Sequence, residues 1–243
     1  MEYTILVFDK IIELPWKEIF SGIGSTFVGA WLAFFWNKKQ ETNKQTSTQK
    51  ELLITYFCNL NATLRNFCIF GKNLQISIKA ASDPSVKFLP APVSNIIFDF
   101  DEKNLSYVQN VSKLFYENII QLRIEMQSYA EMGNLYKETK QSIYLQNMNN
   151  SFIIHCAQLI VTIENTNNYL KKYYDTDLIN EEVENNIKEI NNGCVEWLNE
   201  NKTTADINVL KKVYEIETDY NNIKNGWKID FDKDNNPSKK GKK

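Results

Sequence analysis

His155 is the only histidine of the chain, and it stands beside Cys156 in the stretch "SFIIHCAQLIV". A nucleophile, a base and an orienting group cannot be assembled from one histidine without a serine or cysteine motif around it. The sequence contains no glycine-rich phosphate loop, HExxH or paired-carboxylate pattern either. No catalytic residue and no cofactor is therefore expected, and His155 reads as a core or interhelical hydrogen-bonding group. Cys58, Cys68, Cys156 and Cys194 lack any CxxC pairing, so no metal site is expected. They read instead as reduced, buried thiols, with Cys58, Cys68 and Cys194 set among apolar neighbours.

Cationic groups are the next candidates for chemistry. Arginine occurs only as Arg65 and Arg123, each one place from an apolar seam position, Leu64 and Leu122. There a guanidinium could reach a phosphate within an oligomer interface. It could equally cover the seam with its aliphatic stem and pair with a carboxylate such as Glu125 or Glu117. In "YLKKYYD", Lys171, Lys172 and Tyr173 interleave charge with rings able to stack on bases, while a helix end fraying into solvent produces the same string. The formal net charge of −2 argues against nonspecific nucleic-acid binding over the whole surface.

These groups depend on elements of an unusual kind. From Ile19 to Trp36, a run that includes "SGIGSTFVGAWLAFFW", no formal charge occurs, and with Leu14 and Trp16 the low-polarity run reaches roughly 20 residues, enough to cross ~30 Å of hydrocarbon. Trp16 and Trp36 then fall one at each headgroup layer. A buried core helix and a signal peptide compete with this reading, although Glu2, Asp9, Lys10 and Glu13 do not make a basic leader. Lys38, Lys39, Lys44 and Lys50 follow the run, against Lys10 and Lys17 before it, which places the C-terminal bulk in the cytoplasm of a single-pass inner-membrane protein. Ser21, Ser25, Gly29 and Ala33 form one row of small residues at four-residue steps, with Gly22 and Thr26 in a second row beside it. Small-xxx-small steps let helices approach closely in lipid, so the expected partners are the bilayer and further copies of the chain. The Ser and Thr hydroxyls could line a pore, or the row could belong to a plain lipid anchor.

The remainder reads as all-α. Residues 1–15 form a short extracytoplasmic segment, 16–36 the transmembrane helix and 37–52 a helical stalk continuing from it; 53–228 form an antiparallel cytoplasmic helical bundle and 229–243 a disordered basic tail. The bundle rests on 3–4 alternations that mark helix seams. The first runs through Leu53, Phe57, Leu60, Leu64, Phe67, Leu74 and Ile78, with Gly71 in its one gap. A second runs from Leu105 through Ser112 and Phe115 to Met126 and Tyr129, as one helix. A third links Leu145, Cys156 and Leu170, and a fourth links Val183, Ile190 and Leu198. A shorter helix is expected around Ile207 to Ile223. Two prolines hold the intervening segment extended, Ile96, Ile97 and Phe98 plug the end of a helix hairpin, and Asp101 or Asn104 caps the helix after it.

That segment, "FLPAPVSNIIFDFDEKNLSYVQNVSKLFYENI", carries Leu89, Pro90, Pro92, Phe98, Asp99, Lys103, Leu105, Phe115 and Tyr116. With the span before it, over residues 15 to about 130, it resembles a group of small single-span bacterial membrane proteins. Several proteins of this layout look like membrane effectors of anti-phage systems, among them the channel-forming effector of Hailong defence. The resemblance implies an oligomer whose spans form an ion path, gated by a nucleotide-derived or oligonucleotide ligand that a partner enzyme supplies to the cytoplasmic bundle. The alternative is a membrane-tethered helical scaffold without a pore.

Overall fold

The computed structural model describes residues 16–82, 102–139, 142–204 and 207–234, with the side chains of 16–30 and most of those of 129–144 outside that set. The expectations for residues 1–15, for Leu89, Pro90, Pro92, Phe98 and Asp99, for an Asp101 cap, and for 235–243 all lie outside the described residues. Every element among them is helical. In chain order these are α1 (Trp16–Ser82), a 3₁₀ turn (Glu102–Leu105), α2 (Ser106–Gln109), α3 (Lys113–Thr139), α4 (Ser142–Tyr174), α5 (Glu181–Thr204), α6 (Ile207–Gly226) and α7 (Phe231–Asp234).

The chain divides into two units, Met1–Thr48 and Gln49–Lys243. In the first, the residues expected to form the stalk are helical, and every side chain from Trp31 to Thr48 is exposed. Thr42, Thr46 and Thr48 each turn the hydroxyl back onto the carbonyl four residues earlier, at 2.8, 2.9 and 3.0 Å. That satisfies the hydroxyl without any neighbouring helix.

The second unit is a bundle around α4, whose residues 152–163 are buried at nearly every position. Pairings along the helices fix their directions. On α3 and α4, Phe115 stacks on Tyr169 and Glu125 faces His155, so those two helices are antiparallel. Phe67 meets Phe152 and Gln75 meets Asn149, so this part of α1 also runs against α4. Arg65, Cys68 and Lys72 of α1 meet Glu182, Asn186 and Glu189 of α5 in rising order, and these two helices are parallel. The bundle is thus largely antiparallel, but the first two seams do not form a hairpin, because α1 and α3 both oppose α4. A short loop forces neighbouring helices antiparallel; the long 83–101 connection removes that constraint.

The seam residues fill the core. Leu53, Leu60, Leu64, Phe67 and Leu74 from α1 are fully buried beside Leu105, Val108, Phe115, Ile119 and Leu122. The second seam is not one helix: the chain breaks at Asn110–Ser112, and Ser112 is the cap of α3, its Oγ accepting from the Phe115 N–H at 3.2 Å. A serine inside an apolar 3–4 pattern is better used there, satisfying an otherwise orphan amide. At the start of α2 the cap position is Leu105, with no side-chain capping bond. On α5, the Asn180 carboxamide accepts from Val183 N–H at 3.0 Å, ahead of Glu181, Glu182 and Glu184, whose charges suit the helix dipole.

The sequence expectation of a disordered tail from 229 does not hold at its start. Ile229 and Phe231 are buried, and Phe231 packs edge-on against Phe115 and Tyr169 at 5.7 and 5.5 Å.

Candidate functional site

Three regions could interact with something outside the chain. In the first unit, Trp31, Leu32, Phe34, Phe35 and Trp36 expose 49% to 63% of their surface. Consecutive helical residues lie ~100° apart, so these five large side chains cover roughly 200° of the helix's circumference, with the small Ala33 in the sector between them. Trp31 and Phe35 stack at 4.4 Å, and Phe34 meets Phe35 edge-on at 6.0 Å. Ala33 lies within the band and is exposed. The side chains of Ser21, Gly22, Ser25, Thr26 and Gly29 are outside the described residues, which hold no helix long and apolar enough to cross a membrane.

The second region is the C-terminal end of α4, which is built, not frayed. Asp175 takes a left-handed conformation with φ 49°, and Thr176 N–H donates to the Leu170 carbonyl at 3.3 Å. The Asn167 carboxamide donates to Asp177 at 3.0 Å and accepts from Leu178 N–H at 2.7 Å. Lys171 binds Asp177 at 2.7 Å and Lys172 pairs with Asp232. Hydrogen bonds from Lys171 and then Asn167 hold the Asp177 carboxyl below its usual range. Tyr173 stacks on Tyr169 at 4.6 Å. The two lysines are thus both matched by carboxylates.

Arg65 does not face Glu117 or Glu125 but Glu182, at 2.6 Å on α5. Glu117 pairs with Lys113 at 3.2 Å, and Glu125 accepts from Gln121 at 2.6 Å. The structure therefore does not bring Arg65, Arg123 and the Lys171–Tyr173 group into one site: Arg65 belongs to the α1–α5 contact, Arg123 is half-buried on α3, and the lysines close α4. His155 is buried, its Nε2 3.7 Å from Glu125 Oε2 across the α3–α4 contact. Hydrogen bonding to His155 and Gln121 lowers the Glu125 carboxyl from its ordinary range.

Cys58 is exposed, contrary to expectation, because the position after Phe57 turns away from the core. Cys156 and Cys194 are buried, and burial raises the Cys156 thiol well above its usual value; Cys68 is pushed up to about 11 by burial and by Glu189. Raised thiols stay protonated at neutral pH and make poor nucleophiles. Among the described residues no group of His, Cys, Asp and Glu is arranged to hold a metal ion.

The third region was not anticipated from sequence. A groove of about 640 Å³ opens between α1, α4 and α5, with Phe67, Phe152, Ile190 and Trp197 as walls and Gln75 and Asn149 as polar groups. Its signal in the sequence is Gly71, in the gap of the first seam, and Gly193, a helical glycine beside Cys194 of the fourth. A Cβ on Gly71 would stand 2.9 Å from the Phe152 ring, whereas one on Gly193 would meet nothing within 4 Å. The first glycine admits the ring that forms a wall, and the second leaves the groove open. No family model, curated protein or solved structure matches the chain.

Proposed function

We propose that the chain is a membrane-anchored, self-associating helical effector, its apolar N-terminal helix set in lipid and its bundle on the cytoplasmic side. The observation that carries this is the exposed band Trp31–Trp36. Five large apolar residues within six positions, exposed over more than half of a helix's circumference, cost up to on the order of 1.5–3 kcal/mol each relative to burial. Lipid removes that cost over the whole of this arc, which is about twice the ~100° stripe that a helix buries against one protein face. The uncharged run from Ile19 supports the same assignment, and the exposed polar stretch from Asn37 to Thr48 fits a segment leaving the bilayer.

Self-association follows from the rows through Ser21, Ser25, Gly29 and Ala33 and through Gly22 and Thr26. A gated conducting path and a setting in anti-phage defence rest on the resemblance described above. The test is ion flux through vesicles reconstituted with the full chain, run beside chemical cross-linking of wild type and Gly29→Leu. A channel gives a cross-linked ladder ending at a definite size, and in Gly29→Leu it loses that ladder and its flux together. A tethered scaffold gives no flux in either protein. A chain recovered in the soluble fraction without detergent, as a compact monomer, overturns both.

A further inference from the structure

We infer that Lys38, Lys39 and Lys44 bind the headgroups of anionic phospholipids where the apolar helix leaves the bilayer. This rests on the lipid setting proposed above and adds the class of lipid.

The segment from Asn37 to Thr48 holds these three lysines and a single acid, Glu41, for a net charge of +2. All of its side chains are exposed. Lys171 and Lys172 of the second unit are matched by carboxylates, whereas among the described residues Lys38, Lys39 and Lys44 are not. Their height along the helix suits the headgroup layer. With Trp36 at the hydrocarbon boundary, where indoles settle, a rise of ~1.5 Å per residue puts Lys38 and Lys39 about 3 and 4.5 Å farther out. A headgroup layer is roughly 5–7 Å deep, so both lysines start inside it. Lys44 lies about 12 Å out, beyond the layer but within a Debye length of its charge, ~8 Å at physiological salt.

The arrangement around the helix separates lipid from other anionic partners. At ~100° per residue, Lys38, Lys39 and Lys44 are spread over the circumference with no gap above about 140°. A protein or nucleic acid docked on one side would meet one or two of them. Headgroups lie on every side of a helix that enters a bilayer, and they meet all three. Each lysine near an anionic surface adds roughly a fivefold gain in affinity, which Glu41 opposes in part.

Tryptophan quenching tests this with the full-length protein in mixed vesicles of phosphatidylcholine and phosphatidylglycerol, the same quantity of acyl-chain bromine being carried by one lipid or by the other. Trp31 and Trp36 report on the lipid around the band, while Trp16, Trp197 and Trp227 add a background common to all variants. Wild type should associate with phosphatidylglycerol about fivefold more tightly than with phosphatidylcholine, the effect of one lysine. Salt at about 1 M, where the Debye length falls to ~3 Å, should reduce that preference. Lys38→Gln, Lys39→Gln and Lys44→Gln together should abolish it while keeping the quenching by brominated phosphatidylcholine, and arginine at the same three positions should retain it. Equal association of the two lipids in wild type, a preference indifferent to salt, or one that survives the glutamine variant and so belongs to lysines elsewhere in the chain, would each overturn the proposal and leave the lipid setting intact. No quenching by either lipid overturns both.

Discussion

Asn165 on α4 holds Trp227 by donating from Nδ2 to its carbonyl at 2.8 Å, and the same carboxamide accepts from Ile229 N–H at 3.0 Å. Asn118 of α3 donates to the same Trp227 carbonyl at 3.0 Å. One fully buried side chain therefore satisfies two backbone groups of the C-terminal segment. Asn165→Leu should destabilise the bundle by about 2–4 kcal/mol, since Ile229 N–H is left buried without an acceptor. Asn118→Leu should cost less, about 1 kcal/mol, because the Trp227 carbonyl keeps its other donor. Urea unfolding followed by circular dichroism measures both.

The two helical glycines should respond to alanine with opposite signs. At Gly193 the new methyl meets open space, so the gain in helix propensity stands alone and Gly193→Ala should stabilise by roughly 0.5–1 kcal/mol. At Gly71 the methyl strikes the Phe152 ring, which Phe67 and Phe70 hold in place. Overpacking there should exceed the propensity gain and leave Gly71→Ala less stable by about 1 kcal/mol. Adding Phe152→Leu should convert the Gly71→Ala change into a stabilising one, measured as a double-mutant cycle.

The turn between α4 and α5 should titrate. The Asp177 carboxyl is held below the ordinary carboxylate range, first by the hydrogen bond from Lys171 and then by that from Asn167. A depressed carboxyl contributes stability that is present above its unfolded-state value and is lost as pH falls through the folded one. Lys171 is raised above 10.5 by the same contact, so its part is present below the unfolded value and disappears as pH rises through the folded one. Wild type should therefore lose stability more steeply than Asp177→Asn over the acid range below about pH 4. Denaturant midpoints across that interval decide the matter, equal slopes counting against it.

Membrane partition should depend on the exposed aromatic band. Replacing Phe34 and Phe35 together with lysine places two charges in a segment where each costs on the order of 2.5–3.5 kcal/mol if it lies at the centre of a bilayer, and less near an interface. The double variant should move from the membrane pellet into the alkaline-carbonate wash while its bundle keeps the wild-type melting temperature. Retention in the pellet would count against lipid contact at these positions.

Much of this architecture is legible in the residues, because 3–4 alternation directly encodes which face of a helix is buried. Leu53 through Leu74, Phe115 through Met126 and Val183 through Leu198 all occupy the core their spacing predicts. Ser112 shows the limit of that code: the period runs through it, but its side chain ends one helix and starts another. The polar residues of α4 show another. Asn149, Asn165 and Asn167 carry no apolar signal, yet all three are buried, and they became the fixed points of the groove, the C-terminal segment and the α4–α5 turn. Ile229 and Phe231 were hidden by the charges around them, although Trp227, Ile229 and Phe231 repeat at every second residue. The partner of Arg65 lies 117 positions away on α5, and no local pattern announces such a pairing.

The contact between Asn165 and the Trp227–Ile229 segment has a consequence for synthesis. α1 emerges from the ribosome long before α4, so the apolar side running from Leu53 to Leu74 is not closed until α4 follows with Phe152. Asn118 and Asn165 must wait longer still, for the last stretch of chain to deliver the backbone groups they bind. A nascent or prematurely terminated chain would thus present unclosed apolar and amide surface to chaperones and proteases, and only a polypeptide translated past Phe231 would be sealed against them.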